Sequence, residues 1–239
     1  HVGMKPLYYC NLNGNFVFGS QLDHVMHYFD PQYLNIDIDA LNMYMAIGYY
    51  FAPNSVFKEI KQIEPGEWLK INVNGKKETG MHFDLTEFYL ENKNNRYDQK
   101  EFEEKLEEAV YSHLISDVPV GTFLSGGLDS SVITGIVDQK SGKPFDAFTV
   151  GDFDEYFDES ERASLIAADL KQSRHHIIFP NTIAGYIEQF NDAYQEPFGD
   201  YSAIPSLMVA SEAKNKVKVL LSGDGSDELL FGYSRMEPM

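Results

Sequence analysis

The sequence predicts an α/β protein: a parallel sheet with helices on both faces, preceded by a strand-rich region. Two observations carry this. From about residue 100 onward, short apolar runs alternate with stretches of helical periodicity, the pattern of a parallel sheet built from β–α units. Before that point, short β-rich runs are joined by Asn-Gly and Pro-Gly turns.

In the first region, residues 5–10 and 16–20 flank Asn13-Gly14 and read as a hairpin. Residues 41–51 have the composition of a short helix. Residues 60–63, the turn Pro65-Gly66 and residues 68–73 give strand, turn and strand, with Asn74-Gly75 as a further turn. Residues 91–98 (Glu-Asn-Lys-Asn-Asn-Arg-Tyr-Asp) are polar and read as a linker. Asp98 is placed to cap a helix, with Glu101 three residues on in a capping-box-like pattern. The stripe Phe102, Leu106, Ala109, Val110, His113, Leu114 follows with helical spacing. Strands are then expected near 118–124, 145–150, 174–178 and 217–221, and helices near 130–139, 159–171, 182–193 and 203–215. The expected domains are residues 1–90 and 98–239. There are no repeats and no low-complexity segments.

The 239 residues suit one or two domains, and 43% hydrophobic and 14% aromatic content permits a sizeable core. The net charge of −18 opposes binding to nucleic acid or to an anionic membrane surface. No apolar run approaches the roughly 20 residues of a membrane helix. A single cysteine excludes an internal disulfide and suits a reducing, cytoplasmic compartment.

The chemistry-bearing residues gather at two expected strand ends. In the first, Phe123-Leu124 runs into Ser125-Gly126-Gly127-Leu128-Asp129-Ser130-Ser131, followed by the helical Val132, Ile133, Ile136 and Val137. A strand, a glycine loop and a helix N-terminus make an anion site: backbone N–H groups converge, and glycine lets a ligand approach the main chain. The lysine of a Walker loop is missing, and so is the Gly-x-Gly-x-x-Gly pattern. The second junction is Val217-Lys218-Val219-Leu220-Leu221 running into Ser222-Gly223-Asp224-Gly225-Ser226-Asp227-Glu228. An acidic solvated turn is the plain alternative, but calcium is disfavoured because the EF-hand spacing is absent. Two such ends suit a ligand at the carboxyl edge of a parallel sheet.

Ser-Gly-Gly-x-Asp-Ser resembles the signature of the PP-loop ATP pyrophosphatases. With Ser222 to Glu228, the chain resembles the asparagine synthetase family of glutamine-dependent amidotransferases. Further stretches agree. Val150-Gly151 and Tyr156-Phe157-Asp158-Glu159-Ser160 resemble the family's Val-Gly…Tyr-Asp-Glu segment, and His175-His176 its His-His pair. Glu196-Pro197-Phe198-Gly199-Asp200-Tyr201-Ser202-Ala203-Ile204-Pro205 resembles its Asp-Glu-Pro…Asp-x-Ser-Ala-Ile-Pro segment, with Gln195 where Asp is usual. Gly3-Met4-Lys5-Pro6-Leu7-Tyr8-Tyr9 resembles a motif late in the family's glutaminase domain.

The resemblance implies a PP-loop fold for residues 98–239 and the last part of an αββα glutaminase domain for residues 1–90. It implies ATP and Mg²⁺ as cofactors, with ATP held by Leu124, Ser125, Gly126, Gly127, Asp129, Ser130, Ser131, Val150, Ser222 and Gly223. Asp129 and Asp227 are the implied Mg²⁺ ligands. Asp129, Asp224 and Glu228 are the implied catalytic residues, Asp224 standing where the family has Glu or Asp. The implied reaction adenylates a carboxylate, aspartate in the first instance, and transfers glutamine-derived ammonia with release of AMP and pyrophosphate. Partners are then small molecules, with a homodimer as one assembly open to it. Acceptors such as a polysaccharide sugar or a peptide, β-lactam ring closure, and a catalytically silent nucleotide-binding module are the alternatives. The glutaminase nucleophile, an N-terminal cysteine, is expected upstream of His1, and a catalytic lysine beyond Met239. Residues 1–239 alone are then expected to be inactive. Cys10 reads as a packing residue.

Weaker candidates are the acidic run Asp152, Asp154, Glu155, Asp158, Glu159 and Glu161, read as a solvated turn and helix start. His175 and His176 lack other ligands at zinc spacing. Glu196 and Asp200 are candidates to shape an acceptor pocket.

Overall fold

The computed structural model describes residues 1–151, 158–179 and 184–233. These divide into two compact units, one of residues 1–96 with 190–201, the other of residues 97–189 and from 202 onward.

In the first unit, β1 (Tyr8–Leu12) and β2 (Asn15–Gly19) form the expected hairpin. Asn13 and Gly14 have φ of 54° and 79°, the double left-handed conformation for which Asn-Gly is selected. β3 (Ile60–Gln62) pairs antiparallel on the other side of β1. The short helix α1 (Leu22–Met26) sets Leu22 and Val25 into a core with Tyr8, Cys10, Phe29 and Ile60. Helix α2 (Ile38–Ile47) begins earlier than the expected residue 41, because the Asp37 carboxylate accepts from Asp39 N and Ala40 N. It stops at Gly48, whose φ of 86° ends the helix as a left-handed cap. β4 (Glu67–Ile71) and β5 (Lys77–Met81) form a separate antiparallel ribbon. The polar stretch expected to be a linker is partly helical: α3 (Leu85–Asn92) starts at Asp84, which accepts from Thr86 N and Glu87 N.

The second unit is the expected α/β layer structure. Helix α4 (Gln99–His113) starts where Asp98 accepts from Glu101 N at 2.9 Å. The Glu101 carboxylate, expected to complete a capping box, pairs with Lys105 at 2.8 Å. Four parallel strands follow: β6 (Val120–Phe123), β7 (Phe145–Val150), β8 (Ser173–Ile178) and β9 (Val219–Leu221), in the spatial order β8-β7-β6-β9. All three pairings are parallel. Interspersed are α5 (Leu128–Lys140), α6 (Ser160–Asp169), α7 (Ala184–Ala193), α8 (Ala203–Ala213) and α9 (Ser226–Leu230).

Alternation along β7 supplies both faces. Phe145 and Ala147 join Leu124 and residues of α4, α5 and α6 (Val110, Val137, Ala163) in one core cluster. Phe148 joins Val209 and Ala213 of α8, and Val217, in another. A strand apolar on both faces must be central, so β7 reads as a nearly continuous buried run. The acidic residues Asp152, Asp154 and Glu155 lie outside the described residues, as do Tyr156 and Phe157. Among the described residues no helix is long and apolar enough to cross a membrane.

Candidate nucleotide site

β6 and β9 are adjacent and parallel, with Thr122 opposite Leu221, so the two Gly-rich motifs leave the same edge of the sheet side by side. Gly223 seals the junction. A Cβ added there would stand 2.8 Å from Asp129 Cβ and 3.1 Å from Ser130 N. The second motif therefore packs its main chain directly on the first turn of α5, which a larger residue would prevent.

The first loop is organised by its own hydroxyls. Ser125 Oγ and Ser130 Oγ lie 2.9 Å apart, Ser125 N donates to Ser130 Oγ at 3.2 Å, and Gly127 N to Ser125 Oγ at 3.3 Å. The Ser130 and Ser131 hydroxyls both donate to the Gly127 carbonyl. Gly126 has φ of 79° and packs against Arg162 and the Ala163 amide at the start of α6, so it meets both the conformational and the spatial demand for glycine. Gly127 is the N-cap of α5 and offers no side-chain cap. The first amides of this thirteen-residue helix thus receive no side-chain bond from their own N-cap and point toward the loop. Leu124 is fully buried, and its N–H is taken by the Phe148 carbonyl at 2.8 Å. Val150 ends β7 on the same sheet edge, half-buried.

Electrostatics join the motifs. Asp129, on the first turn of α5, has its carboxyl held above the ordinary value by burial first and by the charge of Asp227 second. One half-buried carboxyl from each motif thus lies close enough for the charge of Asp227 to act on Asp129. That donor set fits Mg²⁺, a hard cation held by one or two carboxylates together with substrate phosphates and water. No group of three or more His, Cys, Asp or Glu that could hold a metal ion is found among the described residues. Asp224 and Glu228 are exposed and engaged locally: Asp224 accepts from Ser222 Oγ and Glu228 from Tyr233 OH, each at 2.8 Å.

The weaker candidates lie elsewhere. Asp158 accepts from Ser160 N and Oγ at the start of α6, an ordinary helix-end role. The two His residues face opposite sides of β8. His176 stacks on Phe148 and reaches Asp146 at 2.7 Å, beside the Arg174–Asp146 pair. Glu196 sits in the first unit, where its carboxylate accepts from Tyr8 OH and Val56 N, both at 2.8 Å. Cys10 is fully buried in that unit's core. Thr149 was not foreseen as a site residue. It is a buried hydroxyl in an otherwise apolar strand end and bonds to the Leu124 carbonyl beneath the loop. A polar residue at that point of Phe145-Asp146-Ala147-Phe148-Thr149-Val150 was the available signal.

Residues 101–239 match the family model described as Asparagine synthase. The chain belongs to the asparagine synthase family. Residues 1–82 match the model described as Glutamine amidotransferase domain. Among curated relatives, a putative glutamine-hydrolysing asparagine synthetase 2 of Methanocaldococcus jannaschii is 33% identical over 97% of this chain and 45% of its own length. Glutamine-hydrolysing asparagine synthetase 1 of Bacillus subtilis is 32% identical over 97% of this chain and 36% of its own. The chain thus spans less than half the length of these relatives. A solved ammonia-dependent NAD synthetase from Campylobacter jejuni covers 58% of this chain and 62% of its own, at 20% identity and a TM-score of 0.41, too distant a likeness to argue from.

Proposed function

We propose that this chain carries the nucleotide half, and part of the glutamine half, of an ATP-dependent amidotransferase that turns a carboxylate into an amide, with aspartate as the substrate of first choice. The observation that carries the reading is the packing of Gly223 on the first turn of α5, which sets the motif that holds Asp227 against the motif that holds Asp129. Residues 98–239 are proposed as the ATP-using part and residues 1–90 as the glutaminase part, in accord with the two family matches. A cytoplasmic setting accords with a lone, buried cysteine.

In this reading Ser125, Gly126, Gly127, Ser130 and Ser131 cradle the pyrophosphate of ATP through backbone amides and hydroxyls, and the α5 N-terminus adds its partial positive charge. Leu124, Val150, Ser222 and Gly223 shape the adenosine and α-phosphate side. Asp129 and Asp227 would hold Mg²⁺, which supplies compensation for charge on the leaving pyrophosphate. A substrate carboxylate oxygen attacks the α-phosphorus, and the bond to the β-phosphate bridging oxygen breaks to give an acyl-adenylate and pyrophosphate. Ammonia then attacks the acyl carbon, loses a proton, and AMP leaves. In this reading Asp224, on the exposed turn beside this edge, orients the ammonia or accepts that proton, and Glu228 supports the turn.

The test is pyrophosphate release by the full-length protein with Mg·ATP and single acceptors. Release with aspartate and ammonia, and none without an acceptor, is expected. Release only with a different carboxylate would replace aspartate and keep the adenylation, whereas no release with any carboxylate would overturn the proposal.

A further inference from the structure

The peptide plane between Leu124 and Ser125 is where β6 hands the chain to the loop. Its N–H donates to Ser130 Oγ at 3.2 Å. Its carbonyl accepts from the Thr149 hydroxyl at 2.5 Å. Both polar ends of this plane are held by side chains, and Gly126, with its left-handed φ, comes directly after it.

Thr149 is itself held. Its Oγ1 lies 2.7 Å from His175 Nε2 on the neighbouring strand. A hydroxyl has one proton to give, and a carbonyl oxygen can only accept, so the Thr149 proton goes to Leu124 O. His175 must then donate its Nε2 proton to Thr149, which selects one tautomer of the ring. Burial, and behind it the neighbouring His176, favour the neutral imidazole. Thr149 is 2% exposed and Leu124 0%, so water does not substitute for either partner.

We propose that His175 and Thr149 are positioning residues for the nucleotide loop: the relay His175 Nε2–H to Thr149 Oγ1–H to Leu124 O sets the tilt of the Leu124–Ser125 peptide and hence the aim of the Gly126 and Gly127 amides. This rests on the adenylation reading above. Neither residue reaches the loop's open face; both act through the main chain. The alternation of β7 and β8 explains the pairing. Ala147 stands opposite His175 and Thr149 opposite Ile177, so Thr149 and His175 point to the same face of the sheet as the start of the loop.

The experiment uses the full-length protein and four variants: Thr149→Val, Thr149→Ser, His175→Leu and His175→Gln. Each is assayed for Mg·ATP-dependent pyrophosphate release and titrated with Mg·ATP by calorimetry. Thr149→Val and His175→Leu should raise KM and Kd for ATP by about 3–10-fold, the value of one or two net hydrogen bonds. Thr149→Ser and His175→Gln keep a hydroxyl and an N–H donor and should stay within about 2-fold. Glutamine hydrolysis should not change in any of them. The relay is overturned if Thr149→Val binds ATP like the wild type, or if Ser and Val are equally impaired, since packing alone would then explain the position. Should Thr149→Val fail to fold, the His175 pair decides in the same way. An inactive wild type would sink the adenylation reading, while calorimetry would still judge the relay.

Discussion

Gly223→Ala probes the junction of the two motifs. The added Cβ would lie 2.8 Å from Asp129 Cβ, where ordinary van der Waals contact begins at 3.4 Å, an overlap of 3.4 − 2.8 = 0.6 Å. Its second neighbour, at 3.1 Å, is the Ser130 backbone amide. Both atoms belong to the first turn of α5, which Ser125 and Ser130 brace against the loop, so no flexible side-chain end is available to swing aside. The two motifs must part by roughly half an ångström or more. Such overpacking costs about 1–3 kcal/mol of stability. Displacing one of the two carboxylates proposed to hold Mg²⁺ from the other costs more in turnover, since a misplacement near 1 Å can lower a rate about 100-fold. We expect Gly223→Ala in the full-length protein to lose roughly 30- to 100-fold in kcat/KM for pyrophosphate release, with a melting point lowered by only a few degrees. Wild-type kinetics in a well-folded Gly223→Ala would refute the claim that these loops form one site.

Three other outcomes follow from the same structure. Asp129→Asn removes one of two repelling carboxylates whose ionisation the fold disfavours, so it should leave stability equal or higher above the ordinary carboxylate range, yet lower Mg·ATP-dependent turnover at least about 100-fold; parallel melting and kinetic measurements separate the two signs. Burial first of all raises the Glu196 carboxyl above its ordinary 4.5, opposed by bonds from Val56 N and Tyr8 OH. Its contribution to stability is therefore whole below about pH 4.5 and is lost as pH rises through the raised folded value. Glu196→Gln, which keeps an acceptor for Val56 N, should flatten that pH dependence in melts from pH 4 to 8, whereas Glu196→Ala should cost about 1–3 kcal/mol by stranding the Val56 amide; an unchanged slope in Glu196→Gln would exclude the assignment. Cys10→Ala should leave glutamine-dependent turnover of the full-length protein within about 2-fold, because this thiol is sealed in the core with its ionisation disfavoured by burial; a loss of several hundredfold would make it a nucleophile.

Local signals were read well from the chain, and long-range ones were not. Asn13-Gly14 imposes its turn within two residues, Asp98 captures an amide three residues on, and the buried run of β7 announces a central strand. Each depends on neighbours in sequence. The Asp84 cap is of the same kind, and the helix it starts lies in a stretch that reads as strand-rich, running only two residues into the polar run 91–98 that reads as a linker. Residues 190–201 are different. Glu196 is separated from Val56 by 140 residues and from Tyr8 by 188, and no periodicity encodes that a carboxylate in a Glu-Pro turn will be buried beneath them. The same holds in part for the site. Gly, Ser and Asp at two strand ends identified the loops, but the pressing of Gly223 on Asp129 depends on β9 crossing back to lie beside β6. Thr149 and His175 required the β7–β8 register before their link to Leu124 could be seen.

The most direct test of the central claim, that these two strand ends form one site for cleaving ATP between its α and β phosphates, is the identity of the phosphorus products. Phosphorus NMR of the full-length protein turning over Mg·ATP with aspartate and ammonia should show AMP and pyrophosphate accumulating in equal amounts, and neither with Asp129→Asn. ADP and inorganic phosphate as the products would contradict the account.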